Sequence, residues 1–166
     1  MGMGQYLYLA VALILLMSLT FSMYQLQLYN LENVMENQLR VNAVSLSEAI
    51  IEEAWTKYFD NSMTLGTFNP QNVPSGFTPK SKFGPEYGET FPNFNDLDDY
   101  HGMDENILFG ADYLNVKAKV TYAQRDASNN LTETTSKTLM KKIKLEISTI
   151  NGKLLHKAEY HYPYFN

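Results

Sequence analysis

The chain contains no cysteine among its 166 residues, which excludes a disulfide framework and a thiolate metal site and leaves the redox compartment open. Glycine and proline are absent from Gln5 through Leu65, and no charged side chain occurs before Glu32. A stretch with neither helix breakers nor charge does not belong on the surface of a soluble domain. Basic side chains also come late, Arg40 being the first. That absence excludes the basic start of a cleavable secretory signal, and nothing after the apolar run reads Ala-x-Ala, so the segment is expected to stay on the chain. It also leaves the positive-inside rule with no sign to read, so orientation is open.

What fills this stretch is an apolar and aromatic run from Tyr6 to Tyr24, broken only by Ser18, Thr20 and Ser22. About 19 residues of helix match a bilayer core of ~30 Å. The helical pattern then continues without a stop signal to about Phe59, which predicts one helix of roughly 55 residues, or ~80 Å. In its second part Met35, Leu39, Ala43, Leu46, Ile50 and Ala54 fall on one stripe. Val41, Val44, Ile51, Trp55 and Phe59 fall on another, roughly opposite. Polar residues from Gln38 and Asn42 to Thr56 and Asp60 keep to a narrow arc. The apolar arc is wider than the ~100° of a helix lying on a single core. One stripe is therefore expected to meet the chain's own domain and the other something else, since the remaining residues suffice for one modest core. Asp60, Asn61 and Gly66 are expected to end the helix.

Residues 66 to 110 hold five of the six prolines and six of the nine glycines. Turn chemistry without periodicity predicts a long loop, pinned by Phe68, Phe77, Phe83, Tyr87, Phe91 and Phe94. Its end gathers Asp96, Asp98, Asp99, Asp104 and Glu105. A calcium site on Asp96, Asp98, Asp99 and Asp104 is one reading, because hard cations take several carboxylate oxygens. The spacing departs from the EF-hand pattern, with Tyr100 in a ligand place and no closing glutamate, and aspartates capping turns explain it more simply.

From Ala111 the period changes to two. Leu114, Val116, Ala118, Val120 and Tyr122 alternate with polar residues, as do Ile143, Leu145 and Ile147, so both segments read as strands buried on one face. Asn151-Gly152 is a type I′ hairpin signal before a strand from Lys153 to Tyr162, and Asp126 to Asn130 is expected to join the first two strands. The result is a three-stranded antiparallel meander with a solvated lysine face and an aromatic tail, Tyr160, Tyr162, Tyr164 and Phe165. Net charge is −5, with acids dominating Glu32 to Glu105 and lysines crowding the last third. Such separation suits contact between an acidic face of one copy and a basic face of the next, or simply two solvated faces.

Chemistry-bearing constellations are scarce. His101, His156 and His161 have no serine or paired-carboxylate partner at a telling spacing, and no glycine-rich phosphate loop occurs. No catalytic residue and no cofactor other than the calcium just weighed is assigned, and no specific nucleic acid is expected from lysines spread over a sheet in an acidic protein.

The layout resembles type IV pilins and the pseudopilins of type II secretion. The resemblance rests on the apolar helix that continues into an amphipathic one, the intervening loop and the sheet. The DLDDYHG stretch at residues 96–102 and the KKIKLEI strand are also similar to sequences of prepilin-like proteins. It implies an α+β, pilin-like fold in which a long helix, transmembrane and then amphipathic, packs on a small antiparallel sheet. Its parts would be a membrane or filament-core helix (1–30), an amphipathic continuation (31–60), a variable loop (61–110) and a β-meander (111–166).

It further implies a subunit of the bacterial inner membrane that assembly machinery extrudes into a cell-surface filament of identical copies. Gln5, Leu7, Leu9, Val11, Leu13, Ile14 and Leu16, with Leu39, Ala43, Leu46 and Ile50, would form the polymerisation interface. The alternative is a single-pass anchored minor pseudopilin or assembly module. Members of the family carry a basic leader cut after glycine, here absent or reduced to a cut after Gly2 or Gly4. They also place a glutamate where counting from Met1 finds Gln5, whose amide adds no charge compensation to a buried amine. That departure points to an atypical filament or a minor, tip-like subunit.

Overall fold

The computed structural model describes residues 2–64 and 72–164. Gly66 as helix stop, Phe68 as aromatic pin and Phe165 in the tail lie outside the described residues. The chain is of the α+β class, and it divides in sequence into two units between Leu39 and Arg40.

The first unit belongs to helix α1, Met3–Trp55, of 53 residues. Leu7, Leu9, Ile14 and Leu16 are each more than 60% exposed, and the helix is long and apolar enough to cross a membrane. The hydroxyls within its apolar run are satisfied locally. The hydroxyls of Ser18 and Thr20 donate to the carbonyls of Leu15 (2.8 Å) and Met17 (2.9 Å), and that of Ser22 donates to Ser18 (2.9 Å). Back-bonding of this kind lets hydroxyls enter an apolar medium without an unpaired donor.

In the second unit, the end of α1 buries Ala43, Leu46, Ser47, Ile50, Ile51 and Ala54. The helix stops at Trp55, short of the expected Phe59, because Tyr58 is captured by another segment. Its N–H donates to Asn95 (3.1 Å), and its carbonyl accepts from Leu97 (3.0 Å), forming a parallel bridge. Those backbone groups are then lost to the helical ladder.

Among the described residues the sheet has five strands: β1 Asp104–Phe109, β2 Asp112–Arg125, β3 Leu131–Thr134, β4 Met140–Thr149 and β5 Leu154–Pro163. All pairings are antiparallel, in the order β1-β2-β4-β5. The short β3 lies beside the end of β2, along the same edge as β1. The expected meander is thus corrected to five strands. β1 lies inside the stretch read as loop, since its burial pattern shows no sustained alternation. The Asp126 turn leads to β3 rather than directly to β4. The Asn151-Gly152 turn is also not of type I′, which needs left-handed backbone at both residues. Only Gly152 (φ 82°) adopts it, and the register shifts at Ile147/Ser148.

The alternating residues meet the helix as expected. Leu114, Val116, Val120, Tyr122, Ile143, Leu145 and Ile147 are all at most 1% exposed. The Tyr162 hydroxyl donates to the Ile51 carbonyl (3.0 Å), and its ring lies 4.7 Å from that of Trp55. Phe77 sits against Phe59 and Tyr164, Phe83 against Tyr122, and Phe94 against Tyr100 and Phe91. Tyr87 is fully exposed and pins nothing. Because Ile50 is 2% exposed whereas Val44 is 38% exposed, Ile50→Ala is expected to cost ~2–5 kcal/mol and Val44→Ala within ~0.5 kcal/mol. Denaturant unfolding of the two variants checks this, and equal losses would refute the assigned helix face.

Candidate functional site

The helix offers the first candidate surface. Gln5, Leu7, Leu9, Val11, Leu13, Ile14 and Leu16 all lie exposed along the first unit. The assignment of the second stripe needs correction. Ala43, Leu46 and Ile50 are at most 4% exposed, because the chain's own sheet covers this side, and Leu39 is half-buried. Of the other stripe, Val41, Val44 and Trp55 are left 59%, 38% and 59% exposed, whereas Ile51 and Phe59 are buried within the domain. Glu48 and Glu52, also exposed, share that arc by helical spacing. Periodicity shows that two stripes exist and carries no label for which one the sheet takes.

A second constellation lies within the sheet domain, around Lys141. This lysine is on the same face of β4 as Ile143, Leu145 and Ile147 and is fully buried. Its ammonium contacts Asp98, the carbonyl of Phe59, and Asp60 at 3.3 Å. The rings of Phe59, Phe83 and Tyr122 surround it, with centroids 4.7, 5.1 and 5.7 Å away. Asp60, at the end of the helix segment, also accepts from the N–H of Thr78 (2.8 Å) and the hydroxyl of Ser62 (2.7 Å). The cluster therefore ties together three segments distant in sequence. Lys141 belongs by alternation to the buried register, and that signal was available to a reading that grouped it with the solvated lysines.

Asp96 and Asp99 stand behind Asp98 and organise its turn. Asp96 accepts from the N–H groups of Asn61 (2.6 Å), Asp98 (2.9 Å) and Asp99 (3.3 Å), and Asp99 from those of Asn95 (3.0 Å) and Asp96 (3.2 Å). Turn capping is thus what these two do. Four buried carboxylates share one ammonium, and the shortfall in positive charge falls on Asp96. Burial, then the charges of Asp98 and Asp99, push its carboxyl up to about 8.

The stability consequence has a definite sign. Between the ordinary value near 3.8 and about 8, the folded chain holds a proton that the unfolded chain has released. The stability from this group is therefore full below the lower value and is lost as pH rises through the upper one. Burial holds His101 and His161 below the usual histidine range, and they act in the opposite sense toward acid. The comparison with Asp96→Asn isolates the carboxyl. Thermal midpoints between about pH 5 and about pH 8 are expected to fall more steeply in the parent than in Asp96→Asn; parallel profiles would refute the assignment.

The four aspartates weighed as a calcium site do not converge. Asp98 is on Lys141, whereas Asp104 is exposed on β1, where it pairs with Lys117 (3.0 Å) and accepts from Asn115 (2.8 Å). The carboxylates that do gather are Glu86, Glu89 and Asp99, with ligand oxygens within 4.8 Å of one another. Glu86 is pushed up to about 7, chiefly by its hydrogen bond to Glu89. Glu89 also accepts from the Asn95 amide. Sequence reading missed this pair, although the Glu-x-x-Glu spacing was its one signal.

The lysines of the outer sheet face are not a free basic patch. Lys142 and Lys144 each pair with Glu133 (2.9 and 2.7 Å) and with Glu159 (3.5 and 3.0 Å), and Lys119 reaches Glu133 at 3.6 Å. Hydrogen bonds from Lys144 and Lys142 hold Glu133 down at about 2. Lys157 pairs with Glu146. A face neutralised within its own strands has little charge left to steer a second copy. Compared with protein-family models, with curated proteins and with solved structures, the chain matches none.

Proposed function

We propose that this chain is the structural subunit of a helical, type IV pilin-like or pseudopilin-like filament. It is held in the bacterial inner membrane by its N-terminal helix, and assembly machinery then moves it into a cell-surface polymer of identical copies. The observation that carries the reading is a helix of 53 residues whose membrane-length first part is apolar and unburied. Leaving lipid, each large aliphatic side chain must regain about 1.5–3 kcal/mol of burial, and a bundle of the same helices supplies it. The exposed Val41, Val44 and Trp55 extend this surface beyond the membrane-length part. Glu48 and Glu52 on the same arc require a cation or water from the neighbouring copy. No catalytic role enters this reading.

Electron microscopy of sheared surface filaments, with mass spectrometry of their protein, tests the proposal. The chain is expected as a filament component, and its absence from every filament fraction would refute the reading. The membrane-capable helix equally supports a second reading, a single-pass anchored assembly module that never leaves the bilayer. Exchanging residues 1–30 for a foreign transmembrane helix separates the two: the anchored module keeps its function, and the filament subunit loses it.

A further inference from the structure

We propose that Lys141 and Asp98 condense to an intramolecular isopeptide bond, joining β4 to the turn that precedes β1. The two groups are in contact across 43 residues of sequence, and each is at most 3% exposed. Contact of Nζ with one carboxylate oxygen places Cγ one bond further on, within the range from which an oriented amine attacks. Asp60 lies 3.3 Å from the same nitrogen. On the other side, Asp96 accepts the backbone N–H of Asp98 (2.9 Å), and burial pushes its carboxyl up to about 8. The rings of Phe59, Phe83 and Tyr122 close the pocket, so little water is present to reverse the step. A neutral amide also relieves the desolvation that an ammonium and a carboxylate suffer there.

The step balances within the chain. Asp60 takes one proton from the Lys141 ammonium, while Asp96 protonates the Asp98 carboxylate. The nitrogen lone pair then attacks Cγ, and the C–N bond forms. One Asp98 oxygen departs as water, its C–O bond breaking, with the second nitrogen proton passing to it. The departing water then carries one proton from Asp96 and one from the former ammonium, whose other lost proton rests on Asp60. Asp60 and Asp96 together hold the single proton with which they began.

Intact-mass spectrometry of the full chain, purified in detergent and shown folded by circular dichroism, tests the proposal. The expected mass is lower than that of the sequence by one water, and protease digestion is expected to yield a branched fragment containing both Lys141 and Asp98. The branched fragment separates this bond from a cyclic imide at an aspartate, which also loses water. Lys141→Arg and Asp98→Ala are expected at their full masses. Asp60→Asn, which keeps both bonding groups, is expected to shift the bulk of the chain to the unbonded mass, since proton transfer by a positioned group is worth ~10²–10⁴-fold. A folded parent chain at full mass, or a dehydrated one without the branched fragment, overturns the proposal. A fully bonded Asp60→Asn variant overturns the part given to Asp60.

Discussion

Replacing Lys141 by methionine is expected to destabilise the sheet domain by about 3–5 kcal/mol, one of the two largest effects of any single substitution in this chain. Methionine fills much the same volume with apolar atoms, so the loss is electrostatic rather than a cavity. Asp60 and Asp98, 0% and 3% exposed, are left without the cation that both contact. Both are buried, and neither ion pair nor amide can form. Against a total stability of ~5–15 kcal/mol for an ordinary domain, the change is severe. Urea unfolding of the full chain in detergent, followed by circular dichroism, measures it. Adding Asp60→Asn and Asp98→Asn to the methionine variant is expected to recover part of the loss, because removing all the charges together is far milder than stranding two. A methionine variant as stable as the parent would refute the stabilising role given to the Lys141 contacts.

The second large effect concerns the other unit. Leu13→Lys is expected to abolish filament incorporation while leaving the sheet domain's unfolding midpoint unchanged. Leu13 is 48% exposed, and the buried core begins only at Ala43, so the sheet has nothing to lose. An ammonium near the centre of a membrane-spanning helix costs ~2.5–3.5 kcal/mol on insertion scales. Inside a bundle of apolar helices it has neither water nor partner, and the cost recurs in every subunit. Counting chains in sheared filaments against chains in the membrane fraction measures the effect. Leu13→Met, which preserves apolar volume, is expected to assemble normally. A lysine variant that enters filaments at the parent's level would remove this segment from the polymer's core and, with it, the proposed function.

Much of the fold was legible because local chemistry carries it. A run without glycine, proline or charge can hardly be anything but an apolar helix, and strict alternation in β2 and β4 showed which side chains turn inward. The errors have a common cause. β1 has only six residues, the first three of them exposed, so its existence depends on β2 being beside it. The helix ends at Trp55 because Asn95 and Leu97 engage Tyr58 across a gap of nearly 40 residues. Of the candidate sites, the apolar helix surface was visible from the start, whereas the calcium reading could not foresee that Asp98 is engaged by Lys141 and Asp104 by Lys117.

Amino-acid order alone determined that this protein has a membrane-length apolar helix, a turn-rich middle and an antiparallel sheet with a defined inner face, because hydrophobic period and backbone preference act over a few residues. Only tertiary structure decided which helix residues the sheet covers and which it leaves exposed. It alone also brought Lys141 to Asp60 and Asp98 across separations of 81 and 43 residues. Pairing at such distances depends on where the intervening chain returns, and burial, by removing water, turns an ordinary lysine and two ordinary aspartates into the most consequential charges in the molecule.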